Sequence, residues 1–221
     1  MTRRLAGFQL RLPESWFEVP DGVPDVTEWA RTAAEAMLAA ATVPPDTDAG
    51  QAVENAPEEA QDDPVAALAE QLVDVAGSVR DTGIRGLETA VLVRRPDLGI
   101  VDAMITLVGQ QGLGRAEFDA QLTGAVEDSE DAEHVFAGTI DAAVPAGDAS
   151  GMHLMIGHLR GTMGEGVAVL EERVAMGVFP PGCPDMVEVT AIARSAGVFD
   201  DMAQAVVDMM EGLTIELEPV A

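Results

Sequence analysis

Residues 87–108, LETAVLVRRPDLGIVDAMITLV, decide the fold. They contain two apolar runs rich in β-branched residues, Leu87–Arg94 and Leu98–Val108, joined by Arg95-Pro96-Asp97. Two such runs on either side of a short polar turn predict two consecutive strands of an antiparallel sheet. The second run is apolar on both faces, which predicts a central strand.

The chain after residue 110 continues mainly as strands. A short helix followed by a loop is predicted over Glu117–Glu133, and a last helix begins near Asp200. Leu213–Leu217 then predicts a short edge strand. Between the two helices, clusters of Gly, Pro and Asp separate four further predicted strands, at Val135–Ala143, Met152–Arg160, Val167–Val178 and Met186–Arg194.

The first 86 residues contain one predicted strand and two predicted helices. Phe8–Pro13 alternates apolar and polar residues, as a half-buried strand does. Asp25 is followed three residues later by a glutamate, the spacing of a helix-capping box, so the first helix begins near Asp25 and runs through Ala41. The second helix begins at Asp63-Pro64, an N-cap followed by proline, and ends before Gly83.

This order of elements predicts an α+β fold. We expect a mostly antiparallel sheet of about six strands with helices packed on it, in a single domain over residues 1–221. Residues 42–63 are acidic, contain three prolines and lack arginine. Because such a composition buries little apolar surface, a mobile acidic loop is predicted there.

The charge balance excludes several classes of partner. The chain has 39 acidic and 12 basic residues, a net charge of −27, and every basic residue is arginine. This surface repels phosphate backbones and anionic lipids, so neither nucleic acid nor a membrane is an expected partner. The absence of lysine excludes a P-loop lysine and a Schiff base. An acidic surface adapted to a saline cytoplasm is an alternative origin of the charge.

The cellular compartment is predicted from the first residues and from the single cysteine. The N-terminal segment reaches Arg11, Pro13 and Glu14 before an apolar stretch of signal-peptide length forms, so the mature protein is expected to begin at Met1. Cys183 has no second cysteine for an internal disulfide, which suits a reducing compartment. Cytoplasmic localisation is therefore predicted.

No catalytic or metal site is predicted from residue spacing. His153 and His158 lie five apart on one predicted strand and therefore on opposite faces, which does not favour convergent metal ligands. The neighbouring Glu171 and Glu172 also point to opposite faces. The segment that begins at Asp46 starts like a calcium loop but has Pro57 where the ligating glutamate belongs. Nor is a cofactor predicted.

Two sets of residues are candidates for binding. Met202, Met209 and Met210 recur on the last helix, and they form either ordinary core or an adaptable groove for a partner helix. Trp16 and Trp29 suit binding anchors if they are exposed. In both sets, the solvent exposure of the side chains decides whether they belong to the core or can bind a partner.

Both ends of the chain resemble the Mog1/PsbP-like fold. The resemblance is carried by Phe8-Gln-Leu-Arg-Leu-Pro-Glu-Ser-Trp16, by Met186–Ala193 and by Phe199–Met210. It implies a first strand with an F-x-L-x-L-P-x-x-W phrase and a late strand that leads into a helix packed across the sheet. Members of that group are mostly binding proteins, among them chaperones of secreted effectors, so the resemblance implies binding.

The first functional hypothesis is a non-enzymatic protein-interaction module, an adaptor or a secretion chaperone. The alternative is an enzyme or a small-ligand carrier whose site is assembled from scattered residues, for instance Arg160 with His158 and acidic partners. A convergent pocket with titratable groups would favour the alternative.

Overall fold

The computed structural model describes residues 3–41, 63–127, 133–160 and 167–219. Within these ranges the chain forms nine strands, four α-helices and two short 3-10 helices. In chain order they are β1 (Arg3–Leu10), β2 (Trp16–Glu18), α1 (Val26–Ala41), α2 (Pro64–Asp81), β3 (Glu88–Leu92), a 3-10 helix (Pro96–Leu98), β4 (Ala103–Gln110), α3 (Arg115–Glu127), β5 (Glu133–Val144), β6 (Gly147–Arg160), β7 (Val167–Phe179), β8 (Met186–Ala193), α4 (Met202–Met209), a second 3-10 helix (Met210–Gly212) and β9 (Leu213–Pro219).

Seven strands form one antiparallel sheet in the order β2-β3-β4-β8-β7-β6-β5. The first and last strands, β1 and β9, pair antiparallel in a separate two-stranded sheet. The predicted α+β class is confirmed, with helices packed on a mostly antiparallel sheet. β4 lies inside the sheet between β3 and β8, as its apolar faces predicted.

The connection between β3 and β4 is longer than the sequence predicted. Pro96–Leu98 form a 3-10 turn, and Gly99 adopts a left-handed conformation with φ 64°, so the strand begins at Ala103 and not at Leu98. A Cβ at Gly99 would lie 2.8 Å from the Cβ of Ala67. Only glycine therefore allows the first turn of α2 to approach this connection so closely.

The N-termini of α1 and α2 lie where the sequence predicts them. A carboxylate oxygen of Asp25 accepts a hydrogen bond from the Glu28 N–H at 3.0 Å, just before α1. The Asp63 carboxylate accepts from the Ala66 N–H at 3.0 Å, and Pro64 is the first residue of α2. Both predicted helix starts are confirmed because capping acts between near neighbours. Of the acidic loop predicted over residues 42–63, residues 42–62 lie outside the described residues, and Asp63 is the N-cap of α2.

Helices cover both faces of the large sheet. On the α4 face, α4 and the β1–β9 sheet pack on buried side chains that include Ile105, Met176 and Val189. On the α1–α2 face, α1 and α2 pack over the β2–β4 end of the sheet around Leu68 and Leu72. α3 lies on this same face near β6, where the Ser150 hydroxyl donates to the Asp119 carboxylate at 2.7 Å.

Two glutamates lie close together on the α4 face, near the β2 edge. Glu18 of β2 and Glu88 of β3 line a small cavity of about 160 Å³. Burial, and then the charge of Glu18, raise the pKa of Glu88 above its ordinary value of 4.5. The folded state therefore binds this proton more tightly than the unfolded chain does. Protonation of Glu88 therefore stabilises the folded state. This stabilisation is present at low pH and is lost as the pH rises through the raised pKa.

Glu88→Gln is expected to stabilise the protein at pH 7. The gain is about 0.5 kcal/mol, because solvent screens a carboxyl that is largely exposed. It should disappear when urea unfolding is repeated below the ordinary glutamate pKa, where both states carry a neutral side chain. Glu35→Gln, a change at an exposed position of α1, is the control and should show no such gain. An equal gain at both pH values would contradict the electrostatic explanation.

Candidate functional site

Four of the five predicted binding residues lie in the core. Met202 and Met210 are fully buried, and Met209 and Trp16 are nearly so, all in the core of the α4 face. The three methionines are therefore ordinary core residues, and their side chains are not accessible to a partner protein. Trp29 is half-buried on α1 and packs against the other core. The structure does not bring the five residues together as one exposed surface.

Two of the three large apolar residues exposed in the described chain lie on β5 instead. Val135 is 62% exposed and Phe136 is 47% exposed, and Ile84 is the third large hydrophobic residue exposed in the described chain. β5 is twelve residues long and, among the described residues, pairs only with β6. An edge strand presents a row of unpaired backbone N–H and C=O groups to one side. The longest exposed edge of the sheet is therefore also partly apolar.

Charge does little to protect this edge. From Val135 to Val144 the sequence contains one charged residue, Asp141, and no proline. The Asp141 carboxylate accepts from the Arg115 guanidinium of α3 at 2.9 Å, which neutralises that single charge. At the opposite edge of the sheet, β2 is only three residues long. Short strands, charges and prolines are the usual protections of sheet edges. β5 is long and has no proline, and its two charged residues are Glu133 at its first position and Asp141, which is paired with Arg115.

A cleft opens on the α4 face beside this edge. Phe136, Met155 and Glu172 form a row across β5, β6 and β7, because Phe136 pairs with Met155 and Met155 pairs with Glu172. These three residues, His153 and the loop 196–201 line a cleft of about 390 Å³. We call it the Phe136 cleft. Its walls come from three consecutive strands and from the loop that follows β8.

A histidine–glutamate pair, with His153 half-buried and Glu172 buried, forms part of the floor of the cleft. The Nε2 of His153 lies 2.8 Å from Oε1 of Glu172, so an imidazole N–H can donate to this carboxylate. The side chains are 17% and 8% exposed. The Phe136 ring stands edge-on to the imidazole, with ring centroids 5.5 Å apart. A carboxylate removed from water requires such a partner, so His153 holds Glu172 in place.

The loop after β8 forms the opposite rim. Val198 is buried in the core and fixes the loop, so Phe199 and Asp200 have defined positions beside the cleft. The Asp201 carboxylate accepts from the Gln204 N–H at 3.0 Å and caps α4. The Arg94 guanidinium lies over the ring of Phe199, 5.3 Å from its centroid.

The lining of the cleft combines aromatic and titratable side chains. Among the described residues that line the cleft there is no Ser, Thr, Cys, Tyr or Lys, and the groups available for acid, base or nucleophilic chemistry are His153 and the carboxylates. The described ranges contain no group of three His, Cys, Asp or Glu side chains arranged as metal ligands. What the cleft does present is two aromatic rings and several carboxylates. These groups suit a cation.

Sequence reasoning missed this site. It placed Glu171 and Glu172 on opposite faces correctly, since Arg173 donates to Glu171 at 2.6 Å on the other side of the sheet. It gave no reason to pair Glu172 with His153, which lies 19 positions earlier. Only the register between β6 and β7 brings the two together. The side chains of His158 and Arg160, and the calcium-like segment, lie outside what the structure describes.

The chain matches no protein-family model and no curated protein. No described helix combines the length and apolar character needed to cross a membrane.

Proposed function

We propose that this protein is a non-enzymatic interaction module that binds an extended segment of a partner protein along β5. The supporting observation is the twelve-residue edge strand itself, which carries exposed Val135 and Phe136. A segment that adds to the sheet as a further strand satisfies the outward backbone groups of β5 and covers these two side chains. Affinity then comes from main-chain hydrogen bonds, and selectivity from side-chain pockets.

The charge of the chain favours a basic partner segment. At a net charge of −27, a second copy of the chain is repelled, whereas a basic segment is attracted and its encounter accelerated. The edge itself carries little unneutralised charge, so apolar contact there is compatible with long-range attraction. The occupant that we propose is therefore an extended segment in which apolar and basic residues alternate.

Holding an extended segment accords with an adaptor or a secretion chaperone. The resemblance to the Mog1/PsbP-like fold supports a binding role, because binding is what most members of that group do. Fold by itself assigns no partner. The lone Cys183 supports a cytoplasmic location for this activity.

Selection of peptides tests the proposal. Random dodecapeptides displayed on phage are selected against the whole protein, and the selected sequences are synthesised. We expect them to alternate apolar and basic residues and to slow amide hydrogen exchange within β5. Ala137→Lys places a positive charge on the exposed side of the edge, and it should weaken peptide binding about tenfold through repulsion of the basic segment.

The control is Ala36→Lys, the same change at an exposed position of α1, which should bind the peptides as the wild type does. The proposal fails if the selected peptides leave β5 exchange unchanged, or if Ala137→Lys binds them equally well. It also fails if sedimentation shows a dimer that Ala137→Lys converts to a monomer. That result would identify a second copy as the occupant.

The second candidate function is a carrier of a small organic molecule, which the Phe136 cleft favours through its pair of titratable groups. A carrier has no need of the edge strand. It would therefore retain its ligand in Ala137→Lys, whereas the interaction module loses its peptide.

A further inference from the structure

The Phe136 cleft opens beside the edge that the proposed function uses. Phe136 belongs to β5, and the cleft extends from it over β6 to Glu172 on β7. Neighbouring strands lie about 4.8 Å apart, so a strand added outside β5 would run about 14 Å from β7. From there, only the longest side chains extend over Phe136 toward Glu172.

The lining determines which long side chain fits. Glu172, Asp200 and Asp201 contribute carboxylates, and none of the described lining residues is arginine or lysine. The rings of Phe136 and Phe199 add faces that attract cations. Phe199 already holds the guanidinium of Arg94 against its ring, so the half-exposed ring of Phe136 is the aromatic group that remains for an added cation.

From this geometry we infer that the Phe136 cleft is the recognition pocket for one arginine or lysine side chain of the segment that pairs with β5. The inference rests on the proposed function and names the chemistry of its partner. The basic group lies against the ring of Phe136 and pairs with the exposed carboxylate of Asp200 and with Glu172. His153 is a positioning residue, because it holds Glu172 through the 2.8 Å contact.

A small probe tests the pocket without the edge strand. Nα-acetyl-arginine methylamide is titrated into protein labelled at its methionine methyl groups, and the Met155 methyl resonance reports on the cleft. We expect a saturable shift of that resonance. The citrulline analogue has nearly the same shape but no charge, and it should produce no shift at the same concentrations.

Three variants locate the interaction. Asp200→Asn changes an exposed residue and cannot disrupt the core, and we expect it to weaken arginine binding about threefold. Gly138→Val places a Cβ 2.7 Å from the Cζ of Phe136 and so displaces the ring, which should weaken binding about as much. Asp21→Asn, an exposed loop change away from the cleft, is the matched control and should bind as the wild type does.

The selected peptides separate this inference from the proposed function. Replacing the basic residue of a peptide with norleucine should weaken binding to the wild type about tenfold, and much less to Glu172→Gln. If peptides protect β5 but tolerate norleucine at every basic position, the pocket inference is overturned and strand addition stands. If arginine shifts Met155 but no peptide protects β5, strand addition fails while the cation pocket stands. An equal response to arginine and citrulline overturns the pocket directly.

Discussion

Asp185→Ala is expected to destabilise the protein by about 3–6 kcal/mol, because two charge-assisted hydrogen bonds are worth about 1.5–3 kcal/mol each. The Asp185 side chain lies before β8, and the residue is only 6% exposed. Its carboxylate accepts from the Leu5 N–H at 2.8 Å and from the Gly112 N–H at 2.9 Å. It thereby joins β1, the turn after β4 and the start of β8. Alanine leaves both donors without this acceptor.

Urea unfolding measures the effect through the midpoint of the transition, with the slope compared between variants. Asp185→Asn keeps one acceptor oxygen and should lose less stability than alanine does. Asp21→Ala removes an exposed carboxylate from a loop and should change the free energy of unfolding by less than about 0.5 kcal/mol. A loss below about 1 kcal/mol for Asp185→Ala would show that water replaces the carboxylate.

Gly151→Ala is expected to cost about 3 kcal/mol, at the upper end of what overpacking costs. Gly151 is buried in β6, opposite Met176 of β7. A Cβ there would lie 2.3 Å from the carbonyl oxygen of Ala175 and 2.7 Å from the Cα of Met176. Both are backbone atoms, so no side-chain rotation relieves the overlap. The strands must separate, which disturbs the β6–β7 register that forms the Phe136 cleft.

Gly77→Ala on α2 is the matched control for this substitution. Nothing lies within 4 Å of the added Cβ, and alanine favours a helix interior over glycine, so this change should stabilise the protein by about 0.5–1 kcal/mol. Thermal and urea unfolding of the two variants should therefore move in opposite directions. If Gly151→Ala were as stable as the wild type, the close approach of β6 and β7 would not be required for the stability of the fold.

Stability and binding are separable in this molecule. Asp185 and Gly151 act within the core, whereas Ala137 and Asp200 are exposed. Variants at the exposed positions should retain the wild-type free energy of unfolding while they lose peptide or arginine. A loss of binding there reports on the surface and not on unfolding.

Most of the secondary structure could be predicted because its signals are local. The caps at Asp25 and Asp63 act within one turn of helix, and the apolar periods of β5 to β8 repeat within single strands. β2 escaped prediction because three residues, Trp16–Glu18, are too few to show a period. What defines this strand is its pairing with β3, where Trp16 lies opposite Leu92.

The candidate site could not be predicted, because sequence spacing carries no information on strand order. His153 and Glu172 meet through the pairing of β6 with β7, and the loop 196–201 reaches them from the end of β8. The methionines of α4 show the same limit. Their helical spacing is the same whether they face the protein core or a partner, and only packing shows that they are buried.

The amino-acid sequence alone determined the α+β class, the helix starts, and an acidic chemistry that disfavours anionic partners. These properties depend on near neighbours or on composition. Tertiary structure decided that β5 is left at an edge, that Phe136 stands beside a histidine–glutamate pair, and that Trp16 and the α4 methionines are covered. Each of these depends on the order and register of the strands and on how the helices pack over them. Strand order and packing are set by which apolar side chains are buried together, and local sequence patterns do not contain that information.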